Sequence, residues 1–141
     1  MSSAMRPVFV VGGLTLAVAL FVSISEWRTA HAVEIVPWRG DWESAKTEAV
    51  KLHRPLFVYF TAAWCPPCQE MKKTTWANKT VKAALGKFVP VKVDVEAHPE
   101  IAEKFGINSM PTYVILSEQG EVLRHRSGML MPEEMLRWLE N

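Results

Sequence analysis

The 141-residue chain is 49% apolar and 22% charged, with a formal net charge of +1. That balance suits one globular domain plus an appendage and excludes a protein built to bind nucleic acid through bulk charge. There are no internal repeats and no low-complexity segment, and both cysteines fall within one four-residue stretch.

The appendage comes first. Arg6 precedes an uncharged run of 17 residues, Val8 to Ile24, and Ala30-His31-Ala32 puts small residues at the two positions a signal peptidase reads. This is the layout of a secretory signal, so export is expected. The run is longer than the roughly 7–15 residues of an ordinary signal core and short of the roughly 20 that span a bilayer, so two outcomes stay open. Either residues 1–32 are cleaved after Ala32, or residues 8–24 remain as an anchor in the inner membrane. A buried helix is disfavoured because the run has no polar face and carries Gly12-Gly13. Removing residues 1–32 takes away Arg6, Arg28 and Glu26 and leaves the domain, residues 33–141, with acidic and basic side chains in balance.

From Val33 onward the pattern is α/β. Asp41 is placed to cap a helix with Trp42, Ala45, Ala49 and Leu52 on its apolar face, ended by His53-Arg54-Pro55. A buried strand follows, Leu56 to Thr61, and then the segment Ala63-Trp64-Cys65-Pro66-Pro67-Cys68-Gln69. Prolines at 66 and 67 are suited to open a helix, because the first amides of a helix lack intrahelical partners and the ring presets φ. Further along, the sequence predicts a helix over Thr80 to Leu85 stopped by Gly86, a strand over Phe88 to Val95, and a short helix from Pro99 to Phe105 closed by Gly106. Met110-Pro111 introduces a strand, Thr112 to Leu116. The turn Ser117-Glu118-Gln119-Gly120 leads to a hairpin partner, Glu121 to His125, then Gly128, and Pro132-Glu133-Glu134 starts a last helix that packs through Met135, Leu136 and Leu139.

A Cys-x-x-Cys pair at the start of a helix places a thiol against the positive end of the helix dipole, which favours thiolate. The same spacing serves an inert disulfide or half of a zinc site, although a structural zinc site needs about four ligands and the chain has no further cysteine. A covalent haem is disfavoured because Gln69 stands where that motif requires histidine. No cofactor and no metal ligand set is expected. The histidines, 31, 53, 98 and 125, show no ligand spacing. Asn78-Lys79-Thr80 fits a glycosylation acceptor, a pattern that also arises by chance.

Trp64-Cys65-x-x-Cys68 after a buried strand, Met110-Pro111 some forty residues on, then a hairpin and Gly128 together resemble the thioredoxin superfamily over Pro55 to Asn141. The added stretch Thr74 to Leu85 is similar to the C-terminal thioredoxin-like domain of DsbD-type disulfide-interchange reductases. The resemblance implies a thioredoxin-like fold, a central mixed β-sheet flanked by helices. It implies that Cys65 is the nucleophile, its sulfur at the helix cap meeting solvent, and that Cys68 is the shielded resolving thiol. It implies a cis Pro111 that lets the backbone before it pair with an extended substrate, with Met110 touching that substrate where thioredoxins commonly carry isoleucine. Trp64 is expected to shield the sulfurs and line the docking surface; Trp27, Trp38, Trp42, Trp76 and Trp138 are read as packing or interfacial residues.

One position departs from the family. Six residues before the nucleophile, thioredoxins bury an aspartate that assists deprotonation of the resolving cysteine; here that residue is Tyr59. Lys92 falls where the family keeps a lysine paired to that acid, and it is either a thiolate-favouring charge or a surface lysine. Glu70 and Glu96 are the substitute bases the sequence offers.

The expected activity is therefore extracytoplasmic, periplasm-type reduction of disulfides in exported proteins, with electrons supplied by a membrane reductant carrier. An oxidase or isomerase on the same fold, and a Cu(I) metallochaperone using the same two cysteines, are the alternatives. N-terminal sequencing of the mature protein tells the two fates of the leader apart: a new terminus at Val33 marks cleavage, and an intact leader marks retention.

Overall fold

The computed structural model describes residues 34–141. The expected signal segment 1–32, with its 8–24 run, Trp27 and His31, lies outside the described residues. Among those described, no helix is long and apolar enough to cross a membrane.

The elements run α1 (Trp42–Leu52), β1 (Leu56–Thr61), α2 (Pro66–Lys73), α3 (Lys79–Leu85), β2 (Val89–Asp94), α4 (Pro99–Lys104), β3 (Thr112–Leu116), β4 (Val122–Ser127) and α5 (Pro132–Glu140). The four strands form one sheet in the order β2-β1-β3-β4. β1 is parallel to β2, from Leu56 opposite Val89 to Thr61 opposite Asp94, and antiparallel to β3, which is antiparallel to β4. This is the expected mixed sheet with flanking helices.

β1 reads as an unbroken apolar run because both faces of the sheet are covered. Alternate residues point to opposite sides. Phe57 and Tyr59 join Tyr113 and Ile115 in a core with Met71 of α2, Val81 and Leu85 of α3, and Met135 and Leu139 of α5. Leu56, Val58 and Phe60 join the β2 valines, Ala45 and Ala49 of α1, and Ile101 of α4. The first core is aromatic. Trp76, fully buried, meets Tyr59 at 4.9 Å between ring centroids and Trp38 at 5.0 Å edge-on.

Local signals place the ends of the elements. The Asp41 carboxylate accepts from the Ser44 amide at 2.7 Å, and His53 turns left-handed at φ 52° to close α1. Leu52, expected on the packed face, is exposed, because α1 buries only its narrow Ala45/Ala49 stripe. Asn78 caps α3 through the Thr80 and Val81 amides, a structural use of the residue that also fits the glycosylation pattern. Gly86 ends α3 with φ −61°, so that stop does not use glycine's left-handed freedom. β4 runs to Ser127, past the expected His125, with all but Arg124 exposed.

The segment before α1 is tied to the sheet. Ile35 donates its amide to the Trp76 carbonyl at 2.8 Å, Arg39 donates to the Pro90 carbonyl at 2.9 Å, and the Lys92 amide donates to the Arg39 carbonyl at 3.0 Å. This short parallel bridge covers the outer edge of β2, where Pro90 has no amide to offer. Arg39 also grips Glu48 of α1 with both Nε and Nη2, which holds the Glu48 carboxyl below the usual carboxylate range.

Thr75, fully buried after α2, donates its hydroxyl to the Leu130 carbonyl at 2.6 Å and fastens the loop before α5. Thr75→Val removes the donor and strands that carbonyl, so urea unfolding should show a loss of about 1–3 kcal/mol with the m-value unchanged.

Candidate active site

β1 delivers the chain to one end of the sheet, where Ala62 to Trp64 turn it into α2. Cys65 occupies the N-cap with extended backbone, φ −80° and ψ 107°, and its sulfur takes the cap acceptor's place, receiving the Cys68 amide at 3.3 Å. Pro66 and Pro67 have no N–H, so Cys68 is the first residue of α2 able to donate to that sulfur. The Gln69 side-chain amide donates to the Ala63 carbonyl at 3.0 Å and steadies the turn. Cys65 and Cys68 are joined as a disulfide, their Cα atoms 5.3 Å apart.

The sulfurs do not divide into exposed and shielded as the cap position suggested. Cys65 is 2% exposed and Cys68 3% exposed. Both pack in a small cluster with Ala62, Val95 and Met110. The expected shield, Trp64, is instead 61% exposed and is not part of the cluster that covers the sulfurs. Trp64 is exposed in the turn before the disulfide, and Met129 and Met131 are exposed just after Gly128, whose amide bonds the Pro111 carbonyl.

The Met110–Pro111 peptide is cis. Pro111 is buried at the start of β3, and its carbonyl accepts the Gly128 amide at 2.8 Å. Gly128 has φ 99°, a left-handed conformation that favours glycine, and its own carbonyl accepts the Tyr113 hydroxyl at 2.9 Å. The cis-proline loop and the Gly128 loop are thereby locked to each other and to the core.

Tyr59 lies on β1, 2% exposed, among Trp38, Trp76 and Tyr113. Burial raises its phenol above the ordinary value, so at neutral pH it is uncharged and accepts no proton. Burial acts the same way on Tyr113, with the neighbouring Tyr59 second. Beside Cys68 a solvent-open cavity of about 220 Å³ is lined by Tyr59, Cys68, Trp76, Lys92, Asp94 and Glu34. Lys92 is there as an ion-pair partner: its ammonium donates to Glu34 Oε2 at 2.8 Å. Glu70 and Glu96 are exposed and do not line the cavity. Sequence reasoning missed Glu34 because it sits 58 residues from Lys92, in a segment with no helical or strand periodicity. Among the described residues, no three His, Cys, Asp or Glu side chains gather as a metal site.

The thioredoxin-like family matches residues 37–117. A thioredoxin of Rickettsia bellii is 31% identical over 99 residues, 70% of this chain and 91% of that protein. A thioredoxin from Thermus thermophilus superposes with a TM-score of 0.67 at 26% identity, over 74% of this chain and 85% of that one. The oxidised DsbD C-terminal domain of Neisseria meningitidis shares the fold, with a TM-score of 0.61 at 22% identity over 73% of this chain and 97% of that one.

The buried phenols contribute to the loss of stability at alkaline pH. A group whose folded pKa is raised contributes stability that is complete below its unfolded value, about 10 for tyrosine, and lost as pH rises through the folded value. Tyr59→Phe should therefore make the decline in Tm above pH 10 shallower, read by thermal unfolding across that range.

Proposed function

The chain belongs to the thioredoxin-like family, whose chemistry is thiol–disulfide exchange, and on that premise we propose that it is an extracytoplasmic protein-disulfide reductase working through Cys65 and Cys68. The Cys65 thiolate attacks a disulfide of an exported protein, Cys68 resolves the mixed disulfide, and the target leaves with two added electrons.

The direction rests on one observation, the cap. Thiolate at Cys65 would receive the Cys68 amide and no amide from Pro66 or Pro67. A less stabilised thiolate means a less oxidising disulfide and a stronger nucleophile. An oxidising compartment holds no dithiol pool to recharge the site, so a membrane reductant carrier supplies the electrons. Export is supported by Arg6, the 8–24 run and Ala30-His31-Ala32. Substrate docks as an extended chain along Met110-Pro111, with Trp64 and Met129 as apolar contacts.

Equilibrated with glutathione, the purified domain should show a potential of roughly −270 to −180 mV; a value near the roughly −120 mV of a strong oxidant would reverse the assigned direction. Cys65→Ser should abolish insulin reduction. Cys68→Ser should trap exported proteins as mixed disulfides on Cys65, identified by mass spectrometry, and trapping only cytoplasmic proteins would overturn the location.

A further inference from the structure

The position from which this family draws an acid for the resolving cysteine is occupied here by Tyr59, and a carboxylate from elsewhere in the chain reaches the same cavity. We propose that Glu34, set in place by Lys92 and Trp38, is the proton acceptor for Cys68, acting through water in the open cavity that both residues line. The proposal rests on the reductase reading and adds a group to its second step.

Glu34 is built into the site. Its side chain is 11% exposed, and an ionised carboxylate so enclosed needs partners. Lys92 Nζ donates to Oε2 at 2.8 Å, and the Trp38 indole N–H donates to Oε1. Each carboxylate oxygen has a second acceptor site left for water. The backbone holds it there: the Ile35 amide is bonded to the Trp76 carbonyl, and Arg39 is bridged to β2.

The cavity is suited to carry the proton. At about 220 Å³ it has room for several waters, each taking about 30 Å³ in the liquid. An independent observation points to water. The indole N–H of Trp76 is fully buried, belongs to a residue lining the cavity, and has no hydrogen-bond partner among the described residues. Buried donors of this kind are ordinarily satisfied; the Tyr59 hydroxyl lies near this indole without meeting it in good geometry, which leaves a place for a cavity water.

Five titratable side chains besides Cys68 face the cavity: Glu34, Tyr59, Lys72, Lys92 and Asp94. Tyr59 is neutral, and the two lysines are donors. Asp94 is the rival acceptor; its Oδ1 takes the Glu96 amide at 2.9 Å, and the Asp94→Asn variant tells the two carboxylates apart.

The step balances as follows. With the target sulfur bonded to Cys65, the Cys68 thiol passes its proton through water to the Glu34 carboxylate. The Cys68 electron pair then attacks the Cys65 sulfur. The Cys65–Cys68 bond forms and the bond from Cys65 to the target breaks, its electron pair leaving on the target sulfur, which is protonated from water. Glu34 returns its proton to solvent. Over both steps the target disulfide gains two electrons and two protons, and the dithiol loses the same.

Stopped-flow reaction of the reduced full chain with 5,5′-dithiobis(2-nitrobenzoate) separates the steps, since the first thionitrobenzoate reports Cys65 attack and the second reports Cys68. Glu34→Gln should slow the second release by about tenfold or more at pH 7, with the gap closing at high pH where the thiol ionises unaided, and leave the first release within about twofold. Lys92→Gln keeps the carboxylate but removes the ammonium that holds it in place, so the second release should slow, with the gap closing at high pH, while the first stays within about twofold; it also reads the relay if Glu34→Gln does not fold. A Glu34→Gln second release equal to wild type, or slowed by the same factor at every pH, overturns the relay, as does the effect appearing in Asp94→Asn instead. Wild-type protein that releases no thionitrobenzoate overturns the reductase reading itself, a result distinct from failure of the relay.

Discussion

The Cys68 amide reaching back to the Cys65 sulfur is the contact on which this site depends. It is first a helix cap, satisfying the one amide that the opening turn of α2 can offer after two prolines. It also contributes to the electrostatic environment of the nucleophile, since that N–H faces the Cys65 sulfur. Cap geometry brings the two Cα atoms to 5.3 Å, within the span a disulfide closes. One local interaction therefore starts the helix, sets the spacing of the dithiol and limits how far the thiolate is stabilised.

That cap is held at the end of a strand buried on both faces. β1 sends Phe57 and Tyr59 into an aromatic core and Leu56, Val58 and Phe60 into an aliphatic one. Tyr59 shows how packing and chemistry compete for one position. An acid there would sit among three aromatic rings and need its own counter-charge; a tyrosine instead extends the ring packing of Trp38, Trp76 and Tyr113. The cost of desolvating a carboxylate is moved to the edge of the sheet, where Lys92 and the Trp38 indole meet Glu34.

Much of this was legible in order along the chain. Asp41, Pro66-Pro67 and Pro132 mark helix starts by short-range chemistry, and β1 lies on the residues its apolar run predicted. The cis bond before Pro111 was legible only through family resemblance, because an X-Pro pair by itself favours trans. The exposure of Trp64 and Leu52 and the burial of Cys65 were misread. Side-chain burial depends on what a distant segment lays over a residue, and neither periodicity nor a cap motif reports that.

The sequence by itself determined the dithiol, the helix it opens, the α/β order and the absence of an acid at position 59, since each depends on residues within a few positions of one another. Only the tertiary structure decided what covers the sulfurs and which carboxylate joins the cavity beside Cys68. Met110 is brought to the dithiol, and Glu34 to the cavity that Cys68 lines, by pairing across the sheet and along the edge of β2, between residues dozens of positions apart. Short-range rules fix how a helix begins; proximity between segments arises from burying both faces of one sheet at once. At Cys65 the two kinds of determination meet, because its cap is local and its burial is not.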